Sequence, residues 1–302
     1  MDWHSAREGF VNYLKLERSM AIHSVDAYLR DLDKLQHYAE SKTPQLSPEV
    51  IQMDDVEDFL SWLQQFGLEE RSQARILSGI KAFYKYLLIE ELIQINPTEL
   101  IEGPKLKRNL PDVLHIEEIE AIFAAVDLSK DFGHRDKAIL ETLYSCGLRV
   151  SELVELLCSN IFEEETMIKV IGKGNKERLI PIGQKALNQI KLYKISYRNT
   201  LPVVKGYEDY LFLNRFGKKL SRTLVFQMVK ENVAKAGIKK HVSPHTFRHS
   251  FATHLVEGGA NLRAVQEMLG HESITTTEIY THLDLNYLRE TVLQFHPMNR
   301  RN

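Results

Sequence analysis

The chain has 302 residues, 43% hydrophobic and 26% charged, with a formal net charge of -2 at pH 7. That length suffices for two domains with separate cores, and no apolar run approaches the roughly 18 residues that a membrane span requires. The slightly negative charge excludes a protein that holds nucleic acid by overall basicity, so any grip on DNA must come from local patches.

Residues Met1 to Phe10 carry charges among their apolar positions and lack the basic start and apolar block of a secretory signal, which predicts a cytoplasmic protein. From Trp3 to Leu100 apolar residues recur at three- and four-residue spacing, as in Phe10, Tyr13 and Leu14 and again in Tyr28, Leu29, Leu32 and Leu35, which predicts four helices. Ser24 is read as the start of the second, the stretch Ser41 to Ser47 with Pro44 interrupts, Asp54 or Asp55 starts the third and Gly67 ends it. The fourth runs from about Ser72 to Ile89. It has an inner face of Ile76, Leu77, Ile80, Phe83, Tyr84 and Leu87, and another face of Arg71, Arg75, Ser78, Lys81 and Lys85. Glu102 to Pro111 holds two prolines, a glycine, Lys105, Lys107 and Arg108 and no helical period, so it reads as a linker. The expected division is 1–103, a linker over 104–112, and 113–302.

In the second half, Ile116 to Val126 and Arg135 to Ser145 read as helices, the latter stopped by Gly147. Met167 to Ile171 and Glu177 to Ile182 read as a hairpin with Lys173 at its tip. Tyr210 to Leu213 is a candidate short strand, and Ser221 caps a helix that runs to Gly237. Ser243 with Pro244 opens another helix, stopped at Gly258 and Gly259; one more runs to Gly270, and a further one bears Tyr280. Cys146 and Cys158 lack the pairing of a disulfide framework or zinc ribbon and are expected in the core. The clusters Lys105, Lys107 and Arg108; Lys173, Lys176 and Arg178; Lys218, Lys219 and Arg222; and Lys239 and Lys240 read singly as solvated surface. The fold class is mainly α with a small antiparallel β-sheet.

The chemistry concentrates in the strings CGLRVSEL, IGKGNKER, SPHTFRHSFATH, MLGHES and TTTEIYTH. A phosphodiester repels nucleophiles, and its transition state gathers still more negative charge, so fixed cations must surround the phosphorus. Arg149 and Arg248 suit that task, because a guanidinium stays charged and its planar fork donates paired hydrogen bonds to phosphate. His245 and Arg248 are three apart, on one face of their helix. His245 and His249 also have the spacing of two zinc ligands, but Thr246 stands where the zinc-protease motif has Glu, and no metal is expected.

These strings resemble the tyrosine recombinases, most closely the Xer type, over nearly the whole chain. The densest match runs from Ser243 to Tyr280, where His-x-x-Arg, Leu-Gly-His and a Tyr nine residues later follow in order. The resemblance implies an N-terminal helical, SAM-like core-binding domain and a mixed α/β catalytic domain of the DNA breaking-rejoining fold. It makes Tyr280 the nucleophile, Arg149, Arg248 and His271 phosphate ligands, Lys173 the acid that protonates the departing 5'-oxygen, and His245 the candidate base. Lys176 is a second candidate acid, and Glu152 would orient the cations. Arg71, Arg75, Ser78, Lys81, Lys105, Lys107, Arg108, Lys176 and Arg222 become candidate DNA contacts, mostly to phosphates. Tyr144, Tyr207 and Tyr287 are expected to be buried structural tyrosines. His115 and Asn160 depart mildly from the family pattern.

No cofactor is implied, because the phosphotyrosyl bond conserves the energy of the cut strand. The implied partners are double-stranded DNA at a short pseudo-palindromic site, three further protomers in a synaptic tetramer, either of one chain or as two copies each of two Xer paralogues, and a septal DNA translocase of the FtsK type. The apolar tail after Tyr280, with Leu288, Val292 and Phe295, is implied to dock into the neighbouring protomer. Rival readings are an integrase of a phage or mobile element, a noncatalytic architectural DNA binder and a metal-dependent nuclease.

Overall fold

Four helices build the first of two units, Met1–Asn109 and Leu110–Asn302, in a computed structural model that describes residues 1–104, 112–172, 175–270 and 282–300. Asp2 caps α1 (Trp3–Asn12) by accepting from Ser5 N at 2.8 Å, and the helix runs on through one π turn, Tyr13–Glu17. It is followed by α2 (Ile22–Glu40), α3 (Met53–Gln65) and α4 (Glu70–Ile89). The start of α2 precedes Ser24 by two residues, and Ser24 N already donates to Ala21 O at 2.8 Å. The predicted inner face of α4 is almost wholly dry: Ile76, Leu77, Ile80, Phe83, Tyr84 and Leu87 are each at most 3% exposed. Phe83 meets Phe10 edge-on, with ring centroids 5.3 Å apart, tying α4 to α1.

The second unit has its own core and begins with α5 (Ile116–Ala124), α6 (Gly133–Cys146) and the short α7 (Val150–Val154). Gly147 ends α6 in the left-handed conformation, φ 58°, and a Cβ there would lie 2.4 Å from the Phe251 ring, so only glycine fits. The antiparallel sheet has the order β1 (Ile161–Phe162), β2 (Met167–Ile171), β3 (Glu177–Pro181), with Ile168 opposite Ile180 and Val170 opposite Arg178. Helices α8 (Gln184–Ser196), α9 (Arg222–Lys235), α10 (Pro244–Glu257), α11 (Leu262–Leu269), α12 (His282–Phe295) and α13 (Pro297–Arg300) complete it. Among the described residues no helix is long and apolar enough to cross a membrane.

Two expectations need correction. Tyr210 to Leu213 forms only isolated bridges, Leu157 with Tyr210 and Leu213 with Lys219, because the Tyr193 hydroxyl accepts the Leu213 N–H that a ladder would use. Tyr144 is buried, but Tyr207 is half-buried and Tyr287 is 48% exposed, so neither is a core tyrosine. Within the single chain, Leu288 and Val292 of the apolar tail are buried in the core of their own unit. Cys146 is buried and Cys158 half-buried.

Candidate active site

Arg149 leaves the turn after α6 as the extended N-cap of α7, and its position is set by Glu152, one turn on. The Glu152 carboxylate accepts from Arg149 N at 2.8 Å through one oxygen and from Arg149 Nη1 at 2.8 Å through the other. It is 4% exposed. A buried carboxylate needs more than one partner, and the second comes from β3: Arg178 forks onto Glu152 with Nη1 to Oε1 and Nη2 to Oε2, both at 2.9 Å. A third guanidinium, Arg248 of α10, stands with Nη1 3.9 Å from Glu152 Oε2. Three guanidiniums thus surround one carboxylate and leave two positive charges unbalanced.

The same three arginines fasten the end of α11. Arg178 Nε donates to Met268 O at 2.8 Å, Arg248 Nη2 to Leu269 O at 2.6 Å and Arg149 Nη2 to Gly270 O at 3.1 Å. These are carbonyls of the helix terminus, where cations are favoured. Arg248 Nη1 also donates to Gly147 O at 2.8 Å, so the α6 turn and the α11 end are bound by one side chain. Gly270 closes α11 with φ 65°, and a Cβ there would lie 3.1 Å from Arg178 Nη1.

Burial pushes the Glu152 carboxyl up, but the hydrogen bonds and charge of Arg178, then of Arg149, outweigh it and hold the carboxyl below its ordinary range. Burial first, then the charge of Arg149, pushes Arg248 down to about 10, with Glu152 opposing, so it remains a cation at neutral pH. Arg149 is the most open of the three, its side chain 33% exposed against 11% for Arg248 and 7% for Arg178. Of the five N–H donors on a guanidinium, Arg149 uses two on Glu152 and Gly270, which leaves others for an anion arriving from solvent.

The structure therefore brings Arg149, Glu152 and Arg248 together. His245 is exposed at the second position of α10, three residues before Arg248, and His249 is half-buried on the same helix. Among the described residues no group of three or more His, Cys, Asp or Glu side chains is placed to hold a metal ion. Lys173, His271 and Tyr280 lie outside the described residues, as do Lys105, Lys107 and Arg108. Lys176 and Arg222 are exposed. In the first unit Arg71, Arg75 and Ser78 are exposed and Lys81 is half-buried, its Nζ donating to Ile101 O at 2.6 Å. Arg75 is already bound to Asp31 through both oxygens, at 2.6 and 2.7 Å.

Arg178 is the site residue that its charge cluster concealed. As one of three basic residues on a hairpin it reads as solvated, yet it is 7% exposed. The signal was strand alternation: Arg178 and Ile180 share a face of β3, and that face is the core face. Two other cluster members are engaged in ion pairs, Lys219 with Glu155 at 2.5 Å and Lys240 with Glu118 at 2.7 Å.

Comparison with known proteins follows the same lines. The sequence pattern of the phage integrase family covers residues 112–286, and that of the phage integrase N-terminal SAM-like domain covers residues 8–91. The chain is similar to the tyrosine recombinase XerD of Chlorobaculum tepidum, 45% identical over 298 residues, 98% of this chain and 97% of that protein. It is also similar to the XerD of Staphylococcus saprophyticus, 41% identical over 291 residues, 96% and 98% of the two chains. Among solved structures, the XerH site-specific recombinase bound to its palindromic difH substrate after cleavage matches with a TM-score of 0.70 and 25% identity, over 91% of this chain and 81% of that one. A lambda integrase dimer bound to a COC' core site matches with a TM-score of 0.71 and 19% identity, over 94% and 100%, a likeness of fold.

Proposed function

The chain belongs to the phage integrase family of tyrosine recombinases and is a site-specific DNA strand transferase, and from that premise we propose that it cuts and rejoins duplex DNA at a short pseudo-palindromic site through Tyr280. The observation that carries the mechanism is the arrangement of Arg149, Arg178 and Arg248 around Glu152, a cation cluster whose positive charge exceeds its negative partner.

In this mechanism Arg149 and Arg248, with His271, hold the nonbridging oxygens of the scissile phosphate. Tyr280 attacks phosphorus; its phenol, near pKa 10 in solution, gives its proton to His245 as the bond forms. The bond from phosphorus to the 5'-oxygen breaks, and Lys173 gives that oxygen a proton. The products are a 3'-phosphotyrosyl ester and a free 5'-hydroxyl. The hydroxyl of a partner strand then reverses the steps on the ester, giving a Holliday junction and finally recombined duplexes, with no nucleotide hydrolysed. The 1–103 segment would grip the duplex through Arg71 and Ser78, with Arg75, Lys81, Lys105, Lys107, Arg108, Lys176 and Arg222 as further phosphate contacts.

Two duplexes require four cuts, so four protomers act together, either as one chain or as two copies each of two Xer paralogues. Similarity to XerD proteins over nearly the full chain supports a chromosomal role over service to a mobile element; in that role the chain would resolve chromosome dimers in the cytoplasm, with a septal DNA translocase as activator.

Suicide duplexes nicked next to the cleavage site test the assignment. The wild type is expected to form a covalent protein–DNA adduct in EDTA, mapped to Tyr280 by peptide mass, and Tyr280→Phe to form none. Retention of the duplex by both proteins with no adduct from either would show a noncatalytic binder.

A further inference from the structure

Resting on the assignment of Lys173 as proton donor, we propose that Arg178 is a positioning residue for strand cleavage: it locks the β2–β3 hairpin that carries Lys173 to the Arg149–Glu152 pair. The hairpin closes where Gly172 N donates to Lys176 O at 2.7 Å. A Cβ on Gly172 would sit 3.2 Å from Arg178 Nη1 and 3.8 Å from Glu152 Oε1, so the guanidinium and the carboxylate lie directly beneath the residue that precedes Lys173 in sequence. The same guanidinium also lies against Gly270, whose added Cβ would lie 3.1 Å from Nη1 and 3.2 Å from Cζ and Nε. One planar group therefore lies against both Gly172 and Gly270, the residues that precede Lys173 and His271 in sequence.

The geometry of the lock depends on the fork. Nη1 and Nη2 take both oxygens of Glu152 at 2.9 Å while Nε reaches Met268 O at 2.8 Å, three hydrogen bonds that a lysine ammonium on a flexible stem cannot reproduce together. Glu152 in turn accepts from Arg149 N and Nη1 at 2.8 Å. The acid that protonates the leaving oxygen and the arginine assigned to the phosphate are thereby referred to one buried carboxylate. Arg178 is too buried to touch DNA itself, at 7% exposure, and it is continuous with the core face of β3 through Ile180, which is fully buried. With the fork lost, the charge of the cluster persists but the hairpin is free to shift, and the deficit falls on the proton transfer to the 5'-oxygen.

That deficit can be isolated by replacing the bridging 5'-oxygen of the scissile phosphate with sulfur. A thiolate, whose acid titrates near 8.5, departs without a proton, whereas an alkoxide does not. Single-turnover adduct formation is measured for wild type, Arg178→Lys and Lys173→Ala on the oxygen and sulfur suicide duplexes. Arg178→Lys is expected to slow the oxygen substrate by about 10²-fold, the lower end of what a general acid contributes, and to cleave the sulfur substrate within about threefold of the wild type. Equal slowing on both substrates, or none on either, would overturn the role.

The Lys173→Ala control separates the premise from the inference. If sulfur rescues Lys173→Ala but not Arg178→Lys, the positioning role fails and the donor assignment stands; if sulfur rescues Arg178→Lys but not Lys173→Ala, the donor is another group on the hairpin. Should Arg178→Lys not fold, Gly172→Ala displaces the guanidinium from the half-exposed side of the hairpin. It is expected to slow the oxygen substrate several-fold and leave the sulfur substrate unchanged, and unchanged cleavage of both would refute the lock.

Discussion

Among the described residues two carboxylates hold an arginine by both oxygens, Asp31 with Arg75 in the N-terminal unit and Glu152 with Arg178 in the C-terminal unit. The geometry is nearly the same and the surroundings are opposite. Asp31 is buried, but Arg75 is 54% exposed, and the second cation near Asp31, Lys34 at 4.0 Å, is 38% exposed. Water screens both, so the pair is a local tether on a surface. Around Glu152 the nearest cations are 7%, 11% and 33% exposed, and the field of three guanidiniums is little diluted. One fork serves a surface and the other concentrates charge where an anion is to be bound.

The comparison breaks most readily at Glu152. Glu152→Gln keeps the shape but leaves three guanidiniums around a neutral amide, and removal of one side of a buried ion cluster typically removes about 3–5 kcal/mol of stability. Urea unfolding at pH 7 checks this, and a loss below about 1 kcal/mol would mean that the carboxylate does little to compensate the cluster.

His296 is the converse case, a buried ionisable group in the same unit with no counter-charge among the described residues. It packs against Tyr144 and Phe251, 1% exposed, with no partner for Nε2 among those residues. Burial, with His254 adding to it, pushes its pKa down to about 4 from the ordinary 6.5, against a hydrogen bond involving Tyr144. The unfolded chain then binds the proton more tightly than the folded one. Stability is fully present above about pH 6.5 and is lost as pH falls towards 4, at roughly 1.4 kcal/mol per unit. His296→Phe should flatten this slope, and an unchanged slope between pH 6.5 and 5 would assign it to other groups.

The smallest effects belong to the surface fork. Asp31→Asn should reduce stability by about 1–2 kcal/mol, less than Glu152→Gln, because the released Arg75 is solvated at once. For DNA binding, Arg71→Ala should reduce the slope of log affinity against log salt by about 0.9, the value for one phosphate contact. Arg75→Ala should reduce it by less, since Asp31 already occupies its fork. Equal slope changes would show that DNA draws Arg75 away from Asp31.

Much of this architecture was legible in periodicity and punctuation. The inner face of α4, the stop at Gly147, the Ser243–Pro244 opening of α10 and the hairpin flanking Gly172 each have a local physical cause in the sequence. What was hidden depends on contacts between elements distant along the chain. Strand alternation with Ile180 could have set Arg178 apart from its solvated neighbours Lys176 and Glu177, but its task stayed hidden until the partner for its guanidinium was known, and that partner is 26 residues earlier. Tyr210 to Leu213 has the composition of a strand but lost its ladder to the Tyr193 hydroxyl. Tyr287 sits on an apolar-patterned helix yet faces outward. The sequence shows that the tail has an apolar face but not what covers it; in the fold the core of its own unit covers Leu288 and Val292.

The most direct test of the cation cluster removes charge from both sides of the contact. Arg149→Ala should slow single-turnover cleavage of an ordinary phosphodiester by about 10²–10³-fold. On a duplex whose scissile phosphate carries a methyl group in place of one charged oxygen, the repulsion that Arg149 offsets is absent, and the variant should come within about tenfold of the wild type. An Arg149→Ala deficit of the same size on both substrates would contradict the account, because the guanidinium would then be serving the fold and not the phosphate.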